Sequence, residues 1–298
     1  MMSARETFGR KQSVGQFNLG CMLEEKEQTQ LWRAVNADSG EAVVIKILHD
    51  KASMKREAES LLKLKGAYSP AVYDFRESLG RFYYAMEEFS RTLQSYLDLN
   101  ESKSFSCMNV IMITNQIMSA LQYSTRMGYL HGNINPDHIM ISKPRGVENN
   151  VLVKMVGYGN VQKLEICDDK VVAIDIDLEQ RNKKYSAPGT LMYSTLTPVD
   201  ELIQITYLLW IMNAVDMLPF EASDGGFEFK FDLSMSPMKI LPRRLKWLSH
   251  FFSSLPAFDS KDVPDYGKLQ KALTLCVRDF PRSAQLMLKE DEGLLILE

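Results

Sequence analysis

The stretch Tyr129–Ile141, which reads YLHGNINPDHIMI, decides the fold of this chain. His131 and Pro136 lie in a polar loop, and an apolar run follows it. The residues before the loop, Met108 to Met127, carry apolar side chains at helical spacing, and the short apolar runs after it are typical of strands. The stretch therefore predicts a helix, a structured polar loop and two short strands in succession.

The first ninety residues predict an antiparallel sheet with one helix. Alternating apolar residues and β-branched runs indicate the strands, and a turn at residues 36–40 separates two of them. The predicted strands are Phe17–Cys21, Leu31–Val35, Ala42–Leu48, Val72–Phe75 and Arg81–Met86, with a helix over Lys55–Lys65.

Beyond residue 90 the pattern changes from strand to helix. Ser106 is the predicted N-cap of the helix that ends at Met127. A long irregular segment runs from Gly159 to Pro188, and an apolar helix is predicted from Val199 to Asp216. We predict an α+β fold with a small antiparallel β-rich N-terminal lobe, which carries one helix, and a larger α-helical C-terminal lobe. The predicted divisions are a flexible arm over residues 1–15, an N-lobe over 16–86, a hinge over 87–92 and a C-lobe over 93–298.

The composition predicts an intracellular protein, cytoplasmic or nuclear. A formal net charge of −3 gives no general attraction to nucleic acid or to an anionic membrane. The four cysteines lie far apart, with no pair at zinc-site spacing, and are typical of reduced thiols. The longest apolar run is too short to span a bilayer.

The residues of the loop at His131 are spaced as in the protein-kinase catalytic loop, H-R-D-x-x-x-x-N. From Phe17 to Cys276 the chain resembles the protein kinase superfamily, and within it the group of casein kinase 1 and the vaccinia-related kinases. The motifs closest to that group are Lys103-Ser104-Phe105-Ser106, Gly189-Thr190 and Pro264-Asp265-Tyr266. The triplets His131-Gly132-Asn133 and Gly157-Tyr158-Gly159 resemble most the catalytically inactive member, a pseudokinase. The resemblance implies a two-lobed kinase-like fold.

The resemblance also implies that four positions of the catalytic machinery are degenerate. Asn133 stands for the aspartate base, and an amide has no useful basicity. Asn135 replaces a lysine, while His138 and Gly157 replace the asparagine and the aspartate that bind Mg²⁺. Carboxylate and amide oxygens suit Mg²⁺, whereas imidazole does so poorly and glycine offers no side chain. The resemblance therefore implies no catalytic residue and no bound metal.

A remnant of the nucleotide pocket is implied at Lys46, Glu57, Val44 and Met86. Lys46 matches the strand lysine that kinases direct at the phosphates, and Glu57 matches its helix partner. Because an unpaired lysine is costly to bury, an ion pair between them is expected for structural reasons alone. The three glycines of the phosphate-binding loop are replaced by Glu24, Lys26 and Thr29.

Two further features are left open by the sequence. The buried aspartate with which kinases anchor the catalytic loop aligns with either Glu201 or Asp200. The run Val171-Val172-Ala173-Ile174 could add a strand to a partner or fold back on its own lobe.

These losses predict a catalytically inactive scaffold or allosteric regulator that uses no cofactor and binds a signalling protein, a kinase or a phosphatase. Partners of other classes, nucleic acid and membrane, are not expected. The alternative is an atypical Ser/Thr protein kinase of low activity that uses Lys46 and Glu57 with relocated acids. A further alternative is a nucleotide sensor that binds ATP without metal.

Overall fold

The structure is a computed structural model that describes residues 13–26, 29–48, 50–78, 81–142, 151–168, 170–178, 182–214, 226–257, 259–281, 284–286, 288–291 and 294–297. Most of the predicted N-terminal arm lies outside these ranges, and so do residues 79–80, which join the predicted strands Val72–Phe75 and Arg81–Met86. Two compact units are present, one of residues 1–65 and 70–88 and the other of residues 66–69 and 89–298.

The first unit is built on an antiparallel sheet whose described strands run in the order β1-β2-β3-β4-β6-β5. The strands are β1 (Ser13–Val14), β2 (Phe17–Lys26), β3 (Thr29–Asn36), β4 (Ala42–Leu48), β5 (Val72–Ser78) and β6 (Arg81–Glu87). The β-branched run of β4 explains its central place, because such side chains pack well on a pleated surface. Ile45, at its middle, is fully buried.

One helix, α1 (Lys51–Lys63), packs on β4, β5 and β6. Met54, Ala58 and Leu61 recur at helical spacing and are all buried, so they form the face that meets the sheet. The predicted helix began at Lys55, and the observed helix begins one turn earlier.

The second unit contains most of the helices. Its elements are β7 (Arg91–Thr92), α2 (Leu93–Leu99), α3 (Cys107–Arg126), β8 (Tyr129–Leu130), β9 (Ile139–Ile141), β10 (Val153–Met155), β11 (Gln162–Lys163), β12 (Glu165–Cys167), β13 (Lys170–Val172), β14 (Ile174–Asp175), α4 (Pro188–Tyr193), β15 (Thr195–Leu196), α5 (Pro198–Met212), α6 (Phe227–Met235), α7 (Pro237–Ile240), α8 (Ser249–Phe252), α9 (Tyr266–Thr274), β16 (Leu288–Asp291) and β17 (Leu294–Leu297). Single turns of 3-10 helix lie at Pro136–His138 and Tyr158–Asn160, and a longer one spans Arg243–Leu248.

Two long helices form the core of this unit, and both begin at a side-chain cap. Ser106 accepts a hydrogen bond from the backbone N–H of Asn109 at 3.3 Å, as predicted for the N-cap of α3. In α5 nearly every residue is buried, which is typical of a helix surrounded by protein on all sides. None of the helices in the described ranges combines the length and the apolar character that a bilayer span requires.

The segment predicted to be irregular, Gly159–Pro188, contains short strands. β12 and β13 form a hairpin, and β14 pairs with β15. Val171 is buried and its N–H donates to the carbonyl of Lys261 at 2.7 Å, whereas Val172 faces solvent. This run therefore folds back on its own unit, which is one of the two arrangements that the sequence left open. The addition of a strand to a partner stays a prediction.

The α+β class is confirmed, and the curled antiparallel sheet together with the helical part is consistent with a kinase-like fold. The predicted limits of the lobes and of the hinge stay predictions.

Candidate functional site

His131 is a packed structural residue. It is 1% exposed, and its Nε2 lies 2.9 Å from the carbonyl oxygen of Val156. Because a carbonyl can only accept, Nε2 carries the proton, and Nδ1 then accepts from the N–H of Asn133 at 3.3 Å. The ring of Tyr158 meets the imidazole edge to face at 4.7 Å. His131 thus holds the loop to the strand region that follows it.

Two side chains of α5 hold the backbone of the loop. Glu201 is fully buried, and its Oε1 accepts the N–H of Gly132 at 2.7 Å. Gln204, one turn later, accepts the N–H of Ile134 at 3.0 Å. The structure therefore assigns the anchoring role to Glu201. Gln204 was missed by the sequence reading, although its i, i+3 spacing from Glu201 was a usable signal.

Asp200, the other candidate, caps its own helix. Its Oδ2 accepts from both the N–H and the hydroxyl of Thr197 at 2.8 Å, which completes a capping box at the start of α5. Burial raises the pKa of Asp200 to about 6, although the hydrogen bonds from Thr197 oppose that rise.

This raised pKa predicts that Asp200→Asn increases the free energy of unfolding, by an amount that depends on pH. The native state binds the proton more tightly than the unfolded chain, whose pKa is near 3.8, so the free energy of unfolding falls as pH rises from about 4 to about 6. Asparagine keeps the acceptor for Thr197 without the buried charge. We expect the variant to gain up to about 3 kcal/mol at pH 7.5 and far less at pH 4 in urea unfolding. Asp265→Asn, at the exposed N-cap of α9, is the matched control, and a gain from Asp200→Asn that is the same at both pH values would contradict the prediction.

The replaced positions of the loop bond with one another. Asn135 is buried, and its Nδ2 donates to the backbone and side-chain oxygens of Asn133 at 3.2 and 3.0 Å. Its Oδ1 accepts the N–H of Asp137 and so caps the 3-10 turn. The Nδ1 of His138 lies 2.8 Å from the carbonyl oxygen of Asn133, and therefore carries a proton. The positions whose side chains act on substrate and metal in kinases here carry side chains that organise the loop itself.

Gly157 lies directly against this network. Its φ is +82°, in the left-handed region that glycine adopts without strain. A Cβ at this position would lie 2.6 Å from Nε2 of His138, a distance that real Cβ atoms essentially never show. The glycine is thus required by the imidazole beside it.

The predicted ion pair between Lys46 and Glu57 is present in the first unit. The Nζ of Lys46 lies 2.7 Å from both carboxylate oxygens, and Glu57 is 1% exposed. The hydroxyl of Tyr84 donates a third hydrogen bond to Glu57 at 3.1 Å, and burial raises the pKa of Tyr84 well above its usual value. The sequence reading missed Tyr84, which lies directly opposite Lys46 in the β4–β6 ladder.

The other residues of the expected pocket lie beside this pair. Val44 and Met86 are partners across β4 and β6, and both are buried. The positions of the phosphate-loop glycines fall on the β2–β3 hairpin, where Glu24 and Lys26 form an exposed ion pair at 2.7 Å. Thr29 is the strand partner of Lys26. A ladder with long side chains therefore stands where kinases have bare glycine backbone.

The residues at the two metal-binding positions do not fit Mg²⁺. His138 offers a nitrogen where Mg²⁺ prefers oxygen, and Gly157 offers no side-chain ligand. Within the described ranges, no group of three or more His, Cys, Asp or Glu side chains is arranged to hold a metal ion.

No protein-family model matches the chain. Among curated proteins it is similar to the serine/threonine-protein kinase pkn3 of Myxococcus xanthus, at 24% identity over 72% of this chain and 40% of the relative. It is also similar to cyclin-dependent kinase F-4 of Oryza sativa subsp. japonica, at 24% identity over 62% of this chain and 37% of the relative. A probable serine/threonine-protein kinase PknB of Bifidobacterium longum is 26% identical over 51% of this chain and 23% of the relative. The chain spans about two fifths or less of the length of these relatives, which support its place in the protein kinase superfamily.

These relatives correct the prediction of an inactive scaffold. All three are named as protein kinases, which points to an enzyme, so the prediction that the chain is not one is wrong. The inference from Asn133, Asn135, His138 and Gly157 gave too much weight to missing side chains. A positioned base contributes only about 10²–10⁴ in rate, and phosphoryl transfer depends chiefly on positioning and electrostatics.

Proposed function

Since its relatives are protein kinases, we propose that this chain is an atypical Ser/Thr protein kinase of low activity. The reaction moves the γ-phosphoryl group of ATP to the hydroxyl of a serine or threonine side chain. The bond from γ-phosphorus to the β–γ bridging oxygen breaks, the bond to the hydroxyl oxygen forms, and ADP leaves. Because the amide of Asn133 has no useful basicity, the hydroxyl proton passes to water.

The observation that carries the proposal is the intact pair of Lys46 and Glu57. Both carboxylate oxygens hold the Nζ at 2.7 Å, and Tyr84 donates to the same carboxylate. The lysine is therefore pre-oriented, as a kinase requires of the residue that contacts the phosphates. Its side chain is 15% exposed, so part of it is accessible to a ligand.

The loop of the second unit supports the proposal in a different way. His131, Glu201 and Gln204 hold its backbone with buried hydrogen bonds. Positioning of this kind survives the loss of the base, and the loss itself predicts a rate about 10²–10⁴ lower than that of a kinase with the aspartate. An association with a signalling kinase or phosphatase stays a prediction.

The proposal is tested by transfer of labelled phosphate from ATP to a mixture of Ser/Thr-containing proteins. We expect slow incorporation by the wild type and none above background by Lys46→Ala, because the phosphate-contacting cation is then absent. Lys46→Arg, which keeps a cation beside Glu57, checks the result if the alanine variant folds poorly. Lys55→Ala removes an exposed lysine of α1 and is the matched control.

Incorporation that is equal in the wild type and in folded Lys46→Ala would contradict the proposal, and so would incorporation that is absent from both. Binding of ATP without any transfer would instead favour the nucleotide sensor.

A further inference from the structure

We propose that His138 and Gly157 together close the position at which kinases hold Mg²⁺, so that this chain binds a nucleoside triphosphate without a divalent ion held by protein side chains. The nucleotide in this inference rests on the proposed function. The closure itself does not depend on it and can be tested on the protein alone.

The ring of His138 leaves no room for a side chain at residue 157. A Cβ on Gly157 would lie 2.6 Å from Nε2 of His138 and 2.7 Å from both Cδ2 and Cε1 of that ring. The imidazole therefore occupies the space into which an aspartate at residue 157 would grow. An aspartate at residue 157 therefore cannot be accommodated unless the ring of His138 moves or is removed.

The imidazole is not a side chain that could easily swing aside. Its Nδ1–H donates to the carbonyl of Asn133 at 2.8 Å. Asn133 is itself held by Nδ2 of Asn135, which is buried. Moving the ring would break bonds of the loop, so the overlap with a side chain at residue 157 is costly.

The chemistry agrees with the geometry. With the proton on Nδ1, the nitrogen that faces Gly157 is Nε2, a ligand atom that Mg²⁺ rarely takes. The backbone of Gly157 keeps the left-handed conformation, at φ +82°. That conformation strains any side chain, so the cost of the overlap with His138 has to be measured against a second glycine of similar φ.

A double-mutant cycle tests the closure. We expect Gly157→Asp to lower the melting temperature by about 5 °C or more, because the new side chain overlaps the ring of His138. Addition of His138→Asn to Gly157→Asp should recover most of that loss, because the ring is then gone. Gly128→Asp is the matched control, since Gly128 has φ +78° in the same unit and nothing lies within 4 Å of its Cβ position. If Gly157→Asp lowers the melting temperature by the same amount with and without His138→Asn, the closure is refuted.

Calorimetric titration with ATP tests the consequence for the ligand. We expect the wild-type dissociation constants in excess EDTA and in excess Mg²⁺ to differ by less than about tenfold. The double variant His138→Asn/Gly157→Asp restores an amide and a carboxylate, so its affinity should rise on addition of Mg²⁺.

Wild-type binding that is lost in EDTA and recovered with Mg²⁺ would overturn the inference while leaving the kinase proposal in place. No binding of ATP under either condition would overturn the proposed function and the nucleotide part of the inference, while the mutant cycle would still decide the closure.

Discussion

Replacing Lys46 with methionine is expected to lower the free energy of unfolding by about 3 kcal/mol, at the lower end of the range for breaking a buried ion pair. Glu57 is 1% exposed and would keep only the hydroxyl of Tyr84 as a donor. The lower end applies because the side chain of Lys46 is 15% exposed, and water near it screens part of the charge. Urea unfolding at constant pH measures the loss.

The double variant Lys46→Met/Glu57→Met should recover most of this stability. Two apolar side chains of similar length replace a buried ion pair at little net cost, whereas a single replacement leaves a buried charge. Lys55→Met is the control, since its pair with Glu59 is exposed and contributes less than about 1 kcal/mol. If the stability lost in Lys46→Met/Glu57→Met equals the sum of the losses in Lys46→Met and in Glu57→Met, the buried pair is not coupled.

Glu201→Ala is expected to lower the free energy of unfolding by about 3–4 kcal/mol and to free the backbone of the loop at His131. The change leaves the N–H of Gly132 without its acceptor, which costs about 1–3 kcal/mol, and opens a cavity beside α5. Glu201→Gln keeps an acceptor oxygen, so a smaller loss is expected. The measurements are urea unfolding and hydrogen exchange resolved to single amides.

Hydrogen exchange separates the two anchors of the loop. In Glu201→Ala the amide of Gly132 should exchange faster, while that of Ile134 keeps part of its protection through Gln204. Gln204→Ala is the matched variant and should reverse the pattern. Unchanged exchange at Gly132 in Glu201→Ala would mean that Glu201 does not anchor the loop.

Much of the local structure follows from spacing and residue type. The apolar run of β4, the cap at Ser106 and the apolar face of α1 were legible because each depends on neighbours within a turn or a strand. The pair of Lys46 and Glu57 was also predicted, since a lysine in an apolar strand needs a nearby carboxylate. The strands between Gly159 and Pro188 were missed because they are only two or three residues long.

The function was misjudged from the same residues. Asn133, His138 and Gly157 were read as losses, one position at a time. The relatives, which are named as serine/threonine-protein kinases, point instead to an enzyme. The combined effect of these replacements on activity depends on how well the remaining residues position the reacting groups.

The sequence by itself determined the α+β class, the order of the main elements and the structured loop at His131, because hydrophobic periodicity and turn residues act over short distances. Only the tertiary structure decided between Glu201 and Asp200. Consecutive residues of a helix point about 100° apart, so the one that meets Gly132 depends on how α5 packs against the loop. The fit of His138 against Gly157 was likewise decided in three dimensions, because it joins residues nineteen positions apart through a backbone turn that the spacing does not encode.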